Sequence, residues 1–383
     1  MGKRRFIIVG SGWRSLYYVR IAKALSEQFE LCAMLCRSQQ KADLIARDYG
    51  IYTTVSIDEC RQMNPDFVVV AVDKQSIAEV SMEWMNYGFT VLCETPAATN
   101  AEELNKLWEL HKSGKKLMVA EQYIYYPSNQ AALKLIKNGI IGQTDYVSMS
   151  MAHEYHGASL IRAFLQEKTS TGFSVQAVAH EFPTVETLNR YERFTDGRVK
   201  NKKRVLAVFE FEDGKTALYD FDSEQYRSPI RNNYIKVQGL RGELKDNKIY
   251  FLDENFCERE ADIVSYSSLV NTGSDNPNLK TFKEIEKIVL EQKNENLVSE
   301  QFGTDDKVLY EAAFGLCGLS EDETAIAQMM ERAAAYSYAD KDDCENYEME
   351  LSCALQDAYM GILLNEAVES GKKVRSESKI WQM

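Results

Sequence analysis

Residues 6–9, Phe-Ile-Ile-Val, form an unbroken apolar run that stops at Gly10, and Gly12 follows after a single serine. Such a run suits a strand covered on both faces, as in a parallel sheet, rather than an alternating, half-exposed one. From Ser15 onward the apolar residues Leu16, Val19, Ala22 and Leu25 recur every three positions, which predicts a helix. Strand, glycine turn and helix in this order make the arrangement that cradles a dinucleotide. Gly10 permits the tight turn and Gly12 lets the backbone approach a pyrophosphate. The helix start offers unbonded N–H groups and a positive dipole end. Ser15 stands where a third glycine is usual and is small enough to pack there. The plainer alternative is a tight turn in an ordinary βα unit.

The pattern continues. Strands are predicted over Phe29–Cys36, Asp66–Val72, Phe89–Cys93 and Leu117–Glu121, with helices over 40–48, 58–63, 77–87 and 101–111 between them. This alternation predicts a doubly wound parallel sheet over residues 5–121. The second strand ends Cys36-Arg37-Ser38, without the acid that would hold a ribose 2′-hydroxyl. Arg37 and Ser38 suit a 2′-phosphate instead, which favours NADP with NAD as the alternative. Arg37 as a plain surface charge is the other account of that position.

A chain of 383 residues has room for about two domains. Its net charge of −13 argues against nucleic-acid binding. The one basic run, Arg198–Arg204, is expected to be a solvated loop. Eight cysteines without a C-x-x-C pair read as reduced thiols of a cytoplasmic protein. No apolar run approaches the roughly 20 residues that span a bilayer, and the apolar stretch after Lys3-Arg4-Arg5 is too short for a signal peptide.

In the second half, Gln122-Tyr123 follows the last strand of the parallel sheet, at the carboxyl end where ligands collect. A strand over Asp145–His153 leads into His153-Glu154-Tyr155-His156-Gly157. Three of the four histidines are His153, His156 and His180. They suggest a polar substrate pocket, with ordinary structural hydrogen bonds as the alternative. A metal is not expected, because no full ligand set is readable. A helix over 158–165 carries Arg162, suited either to a substrate carboxylate or phosphate or to a surface ion pair. Strands over 203–222, around the turn Asp213-Gly214, and over 234–239 and 248–252 predict an antiparallel sheet. Residues 271–278 read as a loop and 321–350 as mostly helical surface. Trp381 is expected either to pack down as a terminal strand or to fray.

Taken in order, several landmarks resemble the Gfo/Idh/MocA family of NAD(P)-dependent oxidoreductases. They are Val9-Gly10-Ser11-Gly12-Trp13-Arg14, Cys36-Arg37-Ser38, Asp48-Tyr49-Gly50, Gly88 to Pro96, Ile136 to Gly142 and the closing stretch Glu350 to Lys373. The resemblance implies a Rossmann domain over 1–122. It also implies a substrate-binding and oligomerisation α/β domain over 123–383, with an open, mostly antiparallel sheet and last helices that return to the first domain. A homodimer or homotetramer is implied as well. Cofactor contacts are implied at Gly10, Ser11, Gly12, Trp13, Arg14, Arg37, Ser38, Ala71, Val72, Glu94 and Gln122. Substrate contacts are implied at Tyr123, His153, His156 and Arg162.

Two departures stand out. The lysine of the family's Glu-Lys-Pro segment is Thr95, which can hydrogen bond but supplies no cation. The family's helical Asp-x-x-x-His signature is matched to Gln176–His180, so Gln176 replaces the acid and His180 alone can move a proton. The expected catalytic set is therefore His180 with Thr95 and Gln176 as positioning groups. The expected activity is NADP- or NAD-dependent hydride transfer to or from a sugar or polyol-like small molecule. A non-catalytic dinucleotide sensor and a glycosidase that cycles a tightly bound NAD are the alternatives.

Overall fold

In the computed structural model, residues 2–274, 276–292, 307–340 and 344–383 are described. Asp275 of the predicted loop and residues 341–343 of the acidic helical stretch lie outside them. The chain divides into two compact units: Met1–Gln122 with Asp322–Tyr359 and Lys379–Met383, and Tyr123–Glu321 with Met360–Ser378.

The first unit begins with β1 (Arg4–Val9), α1 (Ser15–Ala24), β2 (Phe29–Leu35), α2 (Gln39–Tyr49), β3 (Thr53–Thr54) and α3 (Ile57–Gln62). It continues with β4 (Phe67–Val70), α4 (Ile77–Asn86), β5 (Thr90–Cys93), α5 (Ala101–Lys112) and β6 (Leu117–Val119). Its six strands pair in parallel in the order β3-β2-β1-β4-β5-β6. Every residue of β4 and β5 is buried, which is why their sequences are apolar without alternation. Phe6 stacks on Phe67 across β1 and β4 with ring centroids 5.3 Å apart.

The second unit opens with a 3₁₀ turn (Tyr123–Tyr125), α6 (Pro127–Lys137), β7 (Thr144–Ser150) and α7 (Glu154–Leu165). Strands β8 (Phe173–Val185), β9 (Val199–Phe211) and β10 (Thr216–Asp222) follow, then a 3₁₀ turn (Ser223–Tyr226). Next come β11 (Tyr234–Gly239), β12 (Gly242–Lys245), β13 (Lys248–Leu252), β14 (Glu258–Asn271), β15 (Thr281–Gln292) and β16 (Val308–Glu311). After α8 (Glu321–Tyr338) and α9 (Cys344–Ser370), β17 (Val374–Arg375) adds to the edge. The sheet order is β16-β15-β14-β13-β12-β11-β7-β10-β9-β8-β17. All neighbours are antiparallel except β7 and β10.

Three local expectations change. The basic run 198–204 is not a loop: most of it lies in β9, where Lys202 and Arg204 pair with Glu224 and Asp220. Gly242, which reads as turn-like, opens strand β12, whereas Asp246-Asn247, which reads the same way, does form a turn. The stretch Gln176–His180, expected to be helical, is the middle of strand β8.

Trp381 is neither a strand residue nor frayed. It is fully buried in the first unit, its indole N–H donates to Gln356 Oε1 at 3.1 Å, and its ring meets Tyr359 edge-on. Trp381→Ala empties a large buried volume and removes one of the donors to Gln356 Oε1, which Gln382 Nε2 also serves at 3.2 Å. It is expected to cost about 3–5 kcal/mol, read as a lowered urea midpoint.

Candidate active site

The first unit presents a loop between β1 and α1. Gly10 has φ +114°, and a Cβ built there would lie 2.3 Å from the Ala71 carbonyl oxygen. The turn therefore admits only glycine. A Cβ on Gly12 would meet nothing within 4 Å, so the protein leaves open space on that side of the loop. Ser15 is buried and its hydroxyl donates to the Ala71 carbonyl at 3.4 Å, helping to seat α1. An uncluttered glycine at a helix start fits the diphosphate of a dinucleotide.

Arg14 ties this loop to the strand ends. Its Nε donates to Glu94 Oε1 at 2.8 Å, just beyond β5, and its Nη1 donates to Asp322 Oδ2 at 2.8 Å on α8. With the Gln122 amide turned to match its surroundings, Gln122 accepts from Arg14 Nη2 at 2.9 Å and donates to the Ala120 carbonyl at 2.8 Å. Tyr18 donates to Glu94 at 2.6 Å. Burial alone would lower the Arg14 pKa, but the carboxylates of Asp322 and Glu94 outweigh it and hold the guanidinium charged. Burial and then Glu94 push the Tyr18 phenol well up, so it stays a donor. Trp13 packs edge-on against Tyr17, with ring centroids 4.8 Å apart. Ser11 is half-buried, and Ala71 and Val72 follow β4 directly. Arg37 is exposed, and the Ser38 hydroxyl accepts the Lys41 N–H as the cap of α2. Thr95 is half-buried beside Glu94.

The second unit gathers a different chemistry around the start of α7. His156 lies on this helix and is buried, its ring 4.4 Å from that of Tyr123, which in turn stacks on Tyr126. His153 precedes the helix. Its backbone N–H donates to the Tyr226 hydroxyl at 3.0 Å, the same hydroxyl contacts its Nδ1, and its Nε2 lies 3.0 Å from the Tyr155 hydroxyl. Glu154 takes up φ +39°, an unusual conformation for a non-glycine residue. Its N–H is met there by the Tyr219 hydroxyl at 2.9 Å. Burial raises the Tyr219 pKa, keeping that phenol neutral. A Cβ on Gly157 would fall 2.5 Å from the Tyr219 ring, so the glycine lets α7 lie flat on β10. Arg162 is buried on the same helix rather than on the surface.

Gln176 and His180 are not part of this cluster. Along β8, Phe173, Val175 and Ala177 are buried while Gln176, Val178 and His180 are exposed. Ala177 pairs with Ala207, and Ala207 with Tyr219, so these three share the sheet face that α7 covers. His180 is displaced from Ala177 by an odd number of positions and points from the opposite face. In the second unit the histidine carried on a helix is His156, and the residue four before it is Ala152. The acid of the signature is therefore absent at this position too.

Asp322, Tyr18, Tyr155, Tyr219 and Tyr226 were not anticipated. Tyr155 sits inside the histidine-rich pentapeptide, where the flanking histidines give the stronger signal. Asp322 and Tyr226 are brought in by tertiary folding and carried no local signal. Among the described residues, no group of three or more His, Cys, Asp or Glu side chains is placed to hold a metal. No helix among them is long and apolar enough to cross a membrane.

The parallel sheet, its glycine turn and the carboxylate-held arginine make a Rossmann-type fold. Residues 4–122 match the family model described as "Oxidoreductase family, NAD-binding Rossmann fold". The dinucleotide-binding part of this chain is thus similar to the Gfo/Idh/MocA family. The putative oxidoreductase YteT of Bacillus subtilis is 29% identical over 128 residues, 33% of this chain and 30% of that protein. The scyllo-inositol 2-dehydrogenase (NADP(+)) IolU of the same organism is 26% identical over 188 residues, 47% of this chain and 57% of that one. The chain thus spans from under a third to just over half of the length of these curated relatives. A solved NAD-binding oxidoreductase from Klebsiella pneumoniae shares the fold over 99% of this chain and 100% of its own, with a TM-score of 0.64 at 16% identity.

The two glycines make separable demands. Gly10→Ala is expected to destabilise the protein by about 2–4 kcal/mol, since backbone must move to admit the methyl. Gly12→Ala is expected to leave the melting temperature unchanged while weakening NADPH or NADH binding at least about tenfold, the equivalent of about 1.4 kcal/mol. Thermal melts and fluorescence titration separate the two.

Proposed function

We propose that the protein is an NAD(P)-dependent oxidoreductase that interconverts a hydroxyl and a carbonyl on a polyol or sugar-like substrate. The observation that carries this reading is the glycine turn of the first unit, fit for a diphosphate; the second unit separately holds a buried, helix-borne imidazole against aromatic rings. The nicotinamide cofactor supplies hydride chemistry when bound. Gly10, Ser11 and Gly12 receive its diphosphate, Trp13 and Arg14 shape the loop, and Ala71, Val72, Glu94 and Gln122 line the strand ends beside it. Arg37 and Ser38 stand at the end of β2, where the adenosine ribose is read. The exposed Arg37 supports NADP as the preferred cofactor, as does the cofactor in the name of the inositol dehydrogenase relative.

His156 takes the proton-transfer role, in place of His180. A neutral imidazole accepts the hydroxyl proton as hydride leaves the same carbon, and returns it in the reverse direction. Tyr123 and His153 hold the substrate, and Arg162 braces α7 from within. Thr95 provides a hydroxyl where relatives carry a cation. That replacement also supports a second reading, in which the chain binds dinucleotide and senses it without turnover.

The deciding measurement is NADP⁺ or NAD⁺ reduction followed across a panel of inositols, sugars and sugar acids. His156→Asn is expected to lower turnover by about 10²–10⁴-fold, with His180→Ala unchanged within about twofold. Absence of turnover across the panel, with cofactor still raising the melting temperature, favours the sensor. No cofactor-induced stabilisation at concentrations about 100-fold above a micromolar Kd, where about 2.7 kcal/mol is due, removes both.

A further inference from the structure

We propose that Asp322, at the start of α8, is a positioning residue for the diphosphate-binding turn: acting through Arg14, it fixes the start of α1, which has no capping side chain of its own. This inference rests on the dinucleotide-binding reading above and concerns the first unit alone.

A helix start is ordinarily fixed by a Ser, Thr, Asp or Asn whose side chain accepts one of the first N–H groups. In the first unit α2, α3 and α5 follow that rule, capped by Ser38, Ser56 and Asn100. α1 and α4 do not, and of these two only α1 opens at the glycine turn. The cap position of α1 is Arg14, already helical at φ −67° and ψ −35°, with no side-chain cap bond. Its first turn holds no acidic residue either. Both features suit a turn that receives an anion, because a carboxylate there would compete for the same N–H groups and repel the ligand. They also deprive the turn of its usual local brace.

The brace comes from α8. Arg14 Nη1 donates to Asp322 Oδ2 at 2.8 Å, and Nη2 donates to Oδ1 at 3.5 Å, so the carboxylate meets both arms of the guanidinium fork. Glu94 holds the Nε edge at 2.8 Å, which locates the same guanidinium from the end of β5. The arrangement repeats along α1. Arg20 Nε donates to Glu323 Oε1 at 2.6 Å. Tyr17 lies three residues from each arginine on the same helix face and receives both guanidinium groups on its ring, at 4.8 Å from Arg14 and 4.3 Å from Arg20. Two consecutive acids of α8 thus hold two arginines that clamp one buried ring of α1. An isolated surface ion pair contributes little, whereas linked pairs with half-buried partners hold one geometry. A turn held this way meets the diphosphate already ordered. Without Asp322 the ligand itself has to order the turn, and affinity falls.

The test is fluorescence titration of the full-length protein with NADPH and NADH, which needs no substrate. Asp322→Ala is expected to raise the Kd about tenfold, the scale of one immobilised side chain's ordering. Asp322→Glu, which restores the charge, is expected to recover most of that loss. Glu331→Gln breaks a pair between α8 and Arg4 at the other end of β1 and is expected to leave the Kd unchanged. In an Arg14→Gln background, Asp322→Ala is expected to have no further effect on the Kd, because it acts through Arg14. A general loss of stability would instead add in that background. An unchanged or lowered Kd in Asp322→Ala overturns this inference, as does a full further loss in the Arg14→Gln background, and both leave the oxidoreductase reading intact. Should Asp322→Ala not fold, Asp322→Asn, which keeps the shape and loses the charge, is read by the same criteria. A wild-type protein that binds neither NADPH nor NADH overturns both.

Discussion

The first unit depends on one backbone approach: Gly10 lies against the Ala71 carbonyl with no room for a side chain between them. That contact brings the carboxyl ends of β1 and β4 together and sets the direction in which the chain leaves for α1. The nucleotide-binding loop, the placement of Arg14 and the packing of Ser15 beneath it all follow. The charge of Arg14 is then balanced by Glu94 from one strand end and Asp322 from α8. Burying such a charge is favourable only with partners in place, because a buried ion without them costs several kcal/mol.

In the second unit the governing constraint is the two-residue period of a strand. The face of β8, β9 and β10 that carries Ala177, Ala207 and Tyr219 is covered by α7, and the other carries Gln176 and His180. A histidine four residues from a glutamine lies on the same face as it both on a helix and on a strand. What separates the two cases is which side of the sheet that face lies on. The cluster at the start of α7 depends on a chain of phenols: Tyr219 holds the turn, Tyr226 orients His153, and His153 orients Tyr155.

The Rossmann half was legible because its signals are local. Buried parallel strands are apolar throughout, glycines mark helix ends such as Gly50, and Gly10 and Gly12 stand where a diphosphate needs them. The second domain was harder to read. Strand β8, Phe-Ser-Val-Gln-Ala-Val-Ala-His, carries alanines and a four-residue spacing that mimic a helical motif, and only its ladder with β9 settles the matter. The basic run at 198–204 reads as a loop by charge, yet its cations are neutralised across strands by Glu224 and Asp220. Tyr226 and Asp322 left no trace in the sequence, because their importance comes from what they touch. The histidine-rich pentapeptide was visible, but the contacts of His153 with the Tyr155 and Tyr226 hydroxyls needed the positions of those oxygens.

The first unit is discontinuous in sequence. Arg14 and Arg20 emerge early from the ribosome, whereas Asp322 and Glu323, which also pair with them, are made only after all strands of the second sheet but its last, β17. At translation speeds of about 5–20 residues per second the interval is on the order of ten seconds or more. During it the nascent nucleotide-binding fold carries two cations without these counter-ions, and the Trp381 that docks against Gln356 does not yet exist. Completion of the first unit is thereby deferred until most of the second has been made.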